Sequence, residues 1–245
     1  MFERHYISEV DSTNDWIKRR IESGGLSTNY LIYTLNQIKG RGQFSRIWDM
    51  QPGLDLAFSL YNKIDKELSY QFPTAYVMTV CLVLKDTFGS FGIKSMIKWP
   101  NDLLAETKKV AGILIESISQ NQTIHTITGI GINLNSRRKH LSIPYTSISI
   151  RDVIGKALVV EDFLDEFEFQ FEKWENLLNS NHNKLIYQLY NDCLFNKGLE
   201  TDLIETKNQT KVRAKILCVD TWGRLVTEQN GNKKVYHNGE IKFAI

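Results

Sequence analysis

The chain has 245 residues, 42% of them hydrophobic, enough for one sizeable core or a core with a small appended domain. Its 30 basic and 28 acidic residues leave a formal charge of +2, which argues against the general polyanion attraction of a bulk nucleic-acid binder. Cys81, Cys193 and Cys218 are scattered and form no C-x-x-C pair, which argues against a disulfide framework or a cysteine zinc site. The N-terminus has no apolar signal segment. The longest apolar stretch, residues 76–84, is broken by Thr79 and ends at Lys85-Asp86, too short to span a bilayer. A soluble cytoplasmic protein is expected.

In chain order, residues 5–10 read as a short strand. Asp11, Ser12 and Thr13 then offer N-cap oxygens, and Trp16, Ile17 and Ile21 recur at helical spacing until Gly24-Gly25 ends the helix. Residues 30–34 form an apolar strand and residues 36–53 a long polar loop; Leu54, Leu56, Phe58 and Leu60 alternate as in a strand. The pattern predicts an apolar helix over 69–88, with Pro73 tolerated near its start. Residues 95–99 are a strand running into Pro100. Strands at 110–117 and 123–133 are joined by a polar turn at 120–122. A charged helix over 161–179 carries Phe163, Phe167, Phe171 and Trp174 on one face, and another helix follows near 184–190. After about Cys193 the character changes to short strands with turn signals such as Asn230-Gly231 and Asn238-Gly239, as in a small β-barrel or sandwich. The expected architecture is mixed α/β over 1–193 with a small β-domain over 194–245.

Three segments carry candidate chemistry. In the loop, Gly40 and Gly42 flank Arg41, with Lys39 and Arg46 nearby. Glycines let backbone N–H groups approach a ligand, and arginine offers a planar fork suited to phosphate or carboxylate. An ordinary solvated surface loop is an equal reading of these residues alone. Next, Lys98-Trp99-Pro100-Asn101-Asp102 leaves a lysine, an amide and a carboxylate at a strand end, where α/β proteins place ligands; Asn-Asp as plain turn formers is the alternative. Lys109 then enters an apolar strand, so it snorkels outward or meets an anion, and Gly112 within that strand marks a close approach. In the following strand Gly129 and Gly131 share a face, which leaves a trough for a flat molecule or for tight helix packing.

Together these segments resemble the catalytic core of the biotin protein ligases. Asp11-Ser12-Thr13-Asn14 resembles the family's D-S-T-N, and Gln37-x-x-Gly40-Arg41-Gly42 its Q-x-x-G-R-G loop, with Trp48 in the expected place. Lys98 through Asp102 match K-W-P-N-D, Lys109 through Glu116 match K-[LV]-x-G-I-L-x-E, and Gly129-Ile130-Gly131-Ile132-Asn133 match G-x-G-x-N. The tail Asn238-Gly239-Glu240-Ile241 resembles the G-E-I of the family's small C-terminal domain. With that tail the resemblance covers nearly the whole chain, and five motifs fall in order at the family's spacing.

The resemblance implies a mixed-sheet biotin/lipoate ligase-like catalytic domain with an SH3-like β-barrel behind it. It implies a two-step ligase that makes biotinyl-5′-AMP from biotin and ATP with Mg²⁺, then transfers biotin to a lysine of a biotin carboxyl carrier protein. Lys109 and Arg41 would be catalytic, holding the carboxylate and α-phosphate. Ser12, Thr13, Asn14, Gln37, Gly40, Arg41, Gly42, Gln43, Lys109, Gly112, Gly129 and Gly131 would bind biotin, the last three glycines making room for its rings. Arg41, Trp48, Asn101, Asp102, Lys109 and Asn133 would serve ATP, with Asp102 a metal ligand and Tyr145 the candidate adenine-packing aromatic. Many family members carry G-R-G-R with a glycine two residues on; here Gln43, Phe44 and Ser45 stand instead, and Gln43 removes a cation from the clamp. Some relatives carry an N-terminal winged helix-turn-helix; this sequence starts at the catalytic core, so DNA binding is not expected. Monomers and homodimers both occur among relatives. Lipoate–protein ligases share the fold, but their R-R-x-x-G-G-G loop and K-x-N-D motif fit less well. A non-catalytic binding module sits badly with Lys109, Arg41 and Asp102 together, and a nicotinamide enzyme lacks the helix-opening glycine.

Overall fold

Alternating apolar side chains decide the central sheet. The computed structural model describes residues 2–26, 29–65, 74–120, 123–137, 147–180 and 182–244. Its seven-stranded sheet runs β1 (Glu3–Tyr6), β2 (Tyr30–Thr34), β3 (Leu56–Asp65), β7 (Thr123–Ile132), β6 (Lys108–Gln120), β5 (Asp102–Ala105), β4 (Ser95–Lys98). Only the β1–β2 pair is parallel. Successive side chains point to opposite faces. Leu31, Leu56, Phe58, Leu60, Ile130 and Ile132 therefore share the face covered by α2 (Ala75–Ser90), α4 (Val160–Asn179) and α5 (Asn183–Asp192). A short helix, α3 (Ile150–Ile154), precedes α4. Phe163, Phe167, Phe171 and Trp174 all point from α4 into this core, at about 1.5–3 kcal/mol of transfer free energy per large side chain buried. On the opposite face, Tyr30, Ile32, Tyr61 and Ile127 receive Ile17 of α1 (Thr13–Glu22).

The C-terminal strands β8 (Glu200–Glu205), β9 (Lys211–Val219), β10 (Leu225–Gln229), β11 (Asn232–Tyr236) and β12 (Ile241–Phe243) form a separate antiparallel sheet in the order β11-β10-β9-β8-β12. Flat strands three places apart would lie about 14 Å apart. Yet Lys234 on β11 pairs with Glu205 on β8, and Tyr236 Oη donates to the same carboxylate at 3.3 Å, so the sheet curls. Asn191 at the end of α5 exchanges two hydrogen bonds with the Val219 backbone, at 2.7 and 3.0 Å, and Trp99 Nε1 donates to Gly223 O at 2.9 Å. These links fix the small sheet against the hairpin that carries Lys98 and Asp102.

Three sequence expectations are corrected. The first strand lies at 3–6 rather than 5–10, since Val10 only bridges Gln37. The helix expected over 69–88 runs from Ala75 to Ser90, and its expected start lies outside the described residues, as does most of the turn at 120–122. A strand went unread: Asp102–Ala105 is β5, turned back by Glu106 and Thr107 at φ 49 and 65. That turn places two non-glycine residues in a conformation usually marked by Asn-Gly, so the hairpin signal was missing.

Candidate active site

Three adjacent strands carry charge on one face. Lys98 faces Asp102 across β4–β5, and Asp102 faces Gly112 across β5–β6. Between Leu103 and Leu104 the β5–β6 register slips by a residue, leaving Val110 and Ala111 both in the core. Strict alternation would aim Lys109 into that core; the bulge returns it to the Asp102 face. Its amine pairs with Asp102 at 2.6 Å and lies 5.2 Å from the Trp48 ring centroid. Lys98 sits deeper, 5.6 Å from the Phe243 ring centroid. Burial is the main reason its pKa lies below the ordinary 10.5; Asp102 opposes that shift, while the charges of Lys109 and Arg46 add to it.

The start of α1 supplies the polar end. Ser12 caps the helix, its Oγ accepting from Asp15 N at 3.4 Å, and Ser12, Thr13 and Asn14 are all buried. Gln37 Oε1 accepts from Thr13 N at 2.9 Å and from Thr13 Oγ1 at 3.2 Å. Ser59 Oγ lies 2.7 Å from Thr13 Oγ1 and 2.6 Å from Asn14 Oδ1. Asn14 Nδ2 donates to Glu116 at 2.7 Å, and Lys18 Nζ to the other Glu116 oxygen at 2.6 Å. Burial would raise the Glu116 pKa, but the hydrogen bonds from Lys18 and Asn14 and the charges of Lys18 and Arg41 outweigh it and hold the carboxyl below its ordinary range. Arg41 reaches the same cluster, pairing with Asp15 and, at 3.5 Å, with Glu116. Asp11 stands outside this set: two hydrogen bonds from Arg19 hold its pKa at about 2.

The glycine trough exists, and protein side chains fill it. A Cβ on Gly129 would fall 2.3 Å from Asn14 Oδ1, and one on Gly131 2.2 Å from Trp48 Cε2. At Gly112 the Trp48 ring and the Lys109 amine would stand 3.0 and 3.1 Å away. Helix packing thus explains Gly129, and an aromatic plate over the sheet explains Gly131 and Gly112. The Trp48 Nε1 is buried with no hydrogen-bond partner.

The loop closes the cavity from the other side. Arg41 and Ile47 bridge, and Trp48 N donates to Gly40 O at 2.9 Å, so residues 40–48 form a small hairpin whose tip is Gln43, Phe44 and Ser45. Phe44 and Ser45 both sit at positive φ, 56 and 58. Ser45 stands where the resemblance set out above expects glycine, the residue that accepts this conformation freely.

These walls enclose a cavity of about 890 Å³. It collects Ser12, Thr13, Asn14, Gln37, Arg41, Gly42, Gln43, Trp48, Asn101, Asp102, Lys109, Gly112, Gly129 and Gly131. Gly40 and Asn133 do not line it. A side chain on Gly40 would strike Trp48 O and Gln37 Nε2, so its glycine serves loop packing. Asn133 is buried and donates to Lys109 O at 3.1 Å and Ile148 O at 3.3 Å, bracing the backbone beneath Lys109. Asn101 lines the cavity but donates its amide to Ile113 O. Tyr145 lies outside the described residues. Lys98, read from the sequence as part of a ligand-bearing strand end, lines the cavity as expected, whereas Ser59, Asp15 and Glu116, which bond to lining residues, and Lys242 and Phe243 from the small sheet were not marked as site residues. Glu116 and Asn238 belong to quoted motifs, so a signal existed for them; nothing local marks Ser59, Lys242 or Phe243.

Among the described residues no group of three or more His, Cys, Asp or Glu gathers to hold a metal, and no helix is long and apolar enough to cross a membrane. Cys81 is buried and Cys193 and Cys218 half-buried; all three are free thiols.

Residues 6–133 match the model of the biotin/lipoate A/B protein ligase family. The bifunctional ligase/repressor BirA of Bacillus spizizenii is 30% identical over 244 residues, covering 95% of this chain and 72% of that protein. The biotin–[acetyl-CoA-carboxylase] ligase of Paracoccus denitrificans is 29% identical over 181 residues, covering 71% of this chain and 73% of its own. The biotin protein ligase from Aquifex aeolicus, solved in complex with biotin and ATP, superposes over 100% of both chains with a TM-score of 0.81 at 22% identity, a likeness of fold. With the family match spanning the strands and loop that build the cavity, and a 30% identical relative aligned along nearly the whole chain, this protein belongs to the biotin/lipoate A/B protein ligase family.

Proposed function

We propose that this protein is an ATP-dependent biotin–protein ligase working at the cavity described above. One observation carries the reading: Lys109, Lys98 and Arg41 converge beside a three-glycine trough, in a family whose relatives bear biotin-ligase names. In the first half-reaction a biotin carboxylate oxygen bonds to the α-phosphorus of ATP. The bond from that phosphorus to the bridging β-oxygen breaks, giving biotinyl-5′-AMP and pyrophosphate. In the second, a carrier lysine amine attacks the acyl carbon, AMP leaves and the amine loses a proton.

Both reactants of the first step are anions. At 4 Å two unit charges repel by about 4 kcal/mol at an effective dielectric of 20, so positioned cations are needed. Lys109 and Arg41 are held ready by Asp102 and by Asp15 with Glu116, partners that an incoming carboxylate or phosphate would share. Lys98, short of its full hydration, adds a third cation. Ser12, Thr13, Asn14 and Gln37 would bind and orient the ring end of biotin. That requires the Trp48 ring to shift from Gly131, a movement its unbonded Nε1 does not oppose. Among the described residues Asp102 is the carboxylate that lines the cavity, and it would share a Mg²⁺ with nucleotide phosphates, since Mg²⁺ is ordinarily held by one or two carboxylates and substrate oxygens. When bound, the ion supplies charge neutralisation at the phosphates. We assign most of the binding and chemistry to residues 1–193, with the small unit of 194–245 closing one side of the cavity through Asn238, Lys242 and Phe243, and infer a cytoplasmic protein whose partner is a biotin carboxyl carrier domain.

The test is mass spectrometry of such a domain after incubation with this protein, biotin and MgATP. A biotin adduct on one lysine is expected. No adduct, together with binding of lipoate but not biotin by calorimetry, would sink the reading.

A further inference from the structure

The tip of the ligand loop rests on the small C-terminal sheet. Asn238 Nδ2 donates to Gln43 Oε1 at 3.1 Å, although the two residues are 195 positions apart. Beside it the Phe44 ring lies on Gly239: a Cβ there would stand 2.6 Å from Phe44 Cζ. Gly239 itself is at φ 92, so both its backbone and its neighbour exclude a side chain. The turn beneath is braced. Thr206 Oγ1 donates to Gly239 O at 2.6 Å, Thr206 N to Glu240 O at 2.9 Å, and His237 N to Glu240 Oε2 at 2.7 Å. The loop tip, by contrast, holds two consecutive non-glycine residues in the left-handed region, a conformation costing about 1–2 kcal/mol per residue. A conformation of that cost persists only where surrounding contacts determine it.

We infer that Asn238 and Gly239 are positioning residues for the ligand loop. The C-terminal turn is a landing platform that captures Gln43 and Phe44 and so holds Arg41 and Trp48 over the cavity. Gln43 then does more than leave a cation out: its amide becomes the loop's tie to the second sheet. The consequence for retaining an adenylate rests on the ligase reading; the docking itself does not.

The experiment therefore has two arms, both on the full chain. In the first, ligand-free protein is treated with trypsin and cleavage after Lys39, Arg41 and Arg46 is timed. Nicking tracks the open population of the loop when opening is fast relative to cleavage. Asn238→Ala and Phe44→Ala should each speed nicking by about two- to tenfold, the weight of one modest contact. The double variant Gln43→Ala/Asn238→Ala should be no faster than the quicker single variant. Asn238→Asp, which can accept from the Gln43 amide, and Phe44→Leu should restore slow nicking. In the second arm, release of preformed biotinyl-5′-AMP should quicken by the same factor in Asn238→Ala. Unchanged nicking in every variant, or fully additive effects of Gln43→Ala and Asn238→Ala, would overturn the platform. A wild-type protein that makes no adenylate would overturn the ligase reading while the first arm still judged the platform.

Discussion

The two walls of the cavity are built on opposite principles. The sheet wall sets Lys109, Asp102, Gly112, Gly129 and Gly131 on paired strands, and the α1 start beside it is hydrogen-bonded and buried. The loop wall holds Arg41 partly exposed, leaves Ile47 85% exposed, and strains two residues at its tip. The first wall fixes geometry before any ligand arrives, which is where orientation gains come from. The second has few buried contacts, the character of segments that open locally at low cost. On the proposed ligase reading, the rigid half would set the chemistry and the compliant half access.

The sharpest way to break this contrast is Lys109→Ala. Removing a cation held over the reacting charges should lower biotin-dependent pyrophosphate release by about 100-fold or more while the thermal midpoint changes little. Near-normal turnover would reduce Lys109 to a structural partner of Asp102. Gly131→Ala comes next. Its Cβ would stand in the trough that biotin's rings take once Trp48 shifts, so Kd for biotin by calorimetry should rise by about 10-fold or more, within the 1–3 kcal/mol typical of overpacking. Unaltered affinity would show that biotin's rings lie elsewhere. Arg41→Ala, on the compliant wall, should cost less than Lys109→Ala in the same pyrophosphate assay. Its exposed ion pairs should contribute under about 1 kcal/mol to stability.

The pH profile tests the buried cation. A lysine whose pKa is lowered sheds its charge at lower pH than a free lysine, so anion binding that depends on Lys98 should fail on the alkaline side before 10.5. Lys98→Arg should move that limb of kcat/KM upward, since arginine stays charged. Superimposable profiles would remove Lys98 from the site. The smallest effect belongs to Ser45→Gly. Relief of the left-handed strain is offset by the greater freedom of glycine in the unfolded chain, leaving a gain of at most about 1 kcal/mol. It should appear as slower tryptic nicking of the loop; faster nicking would mean that the tip is not strained.

Local chemistry determined much of this protein. Short-range patterns sufficed for β2, for α1 with its Ser12 cap, for the aromatic face of α4, and for the change to short strands after Cys193. Periodicity and turn residues are local signals, and in those segments tertiary packing agreed with them. The motif residues likewise mark most of the cavity lining, including Asp102 and Lys109, which the structure pairs at 2.6 Å.

Only the tertiary structure decided the rest. Whether Lys109 faces core or cavity depends on a bulge that alternation cannot reveal. Asn133 carries a motif position yet braces the Lys109 backbone, and Gly40 makes room for its own loop, because hydrogen-bond partners and close neighbours are set in space. The Ser59 hydroxyl and the Asp15 and Glu116 carboxylates join the site through strand register and helix placement. Asn238 meets Gln43 across 195 positions because two sheets are held together at Asn191 and Trp99. Contacts of that sequence separation leave no local trace, since they arise from the packing of the whole chain.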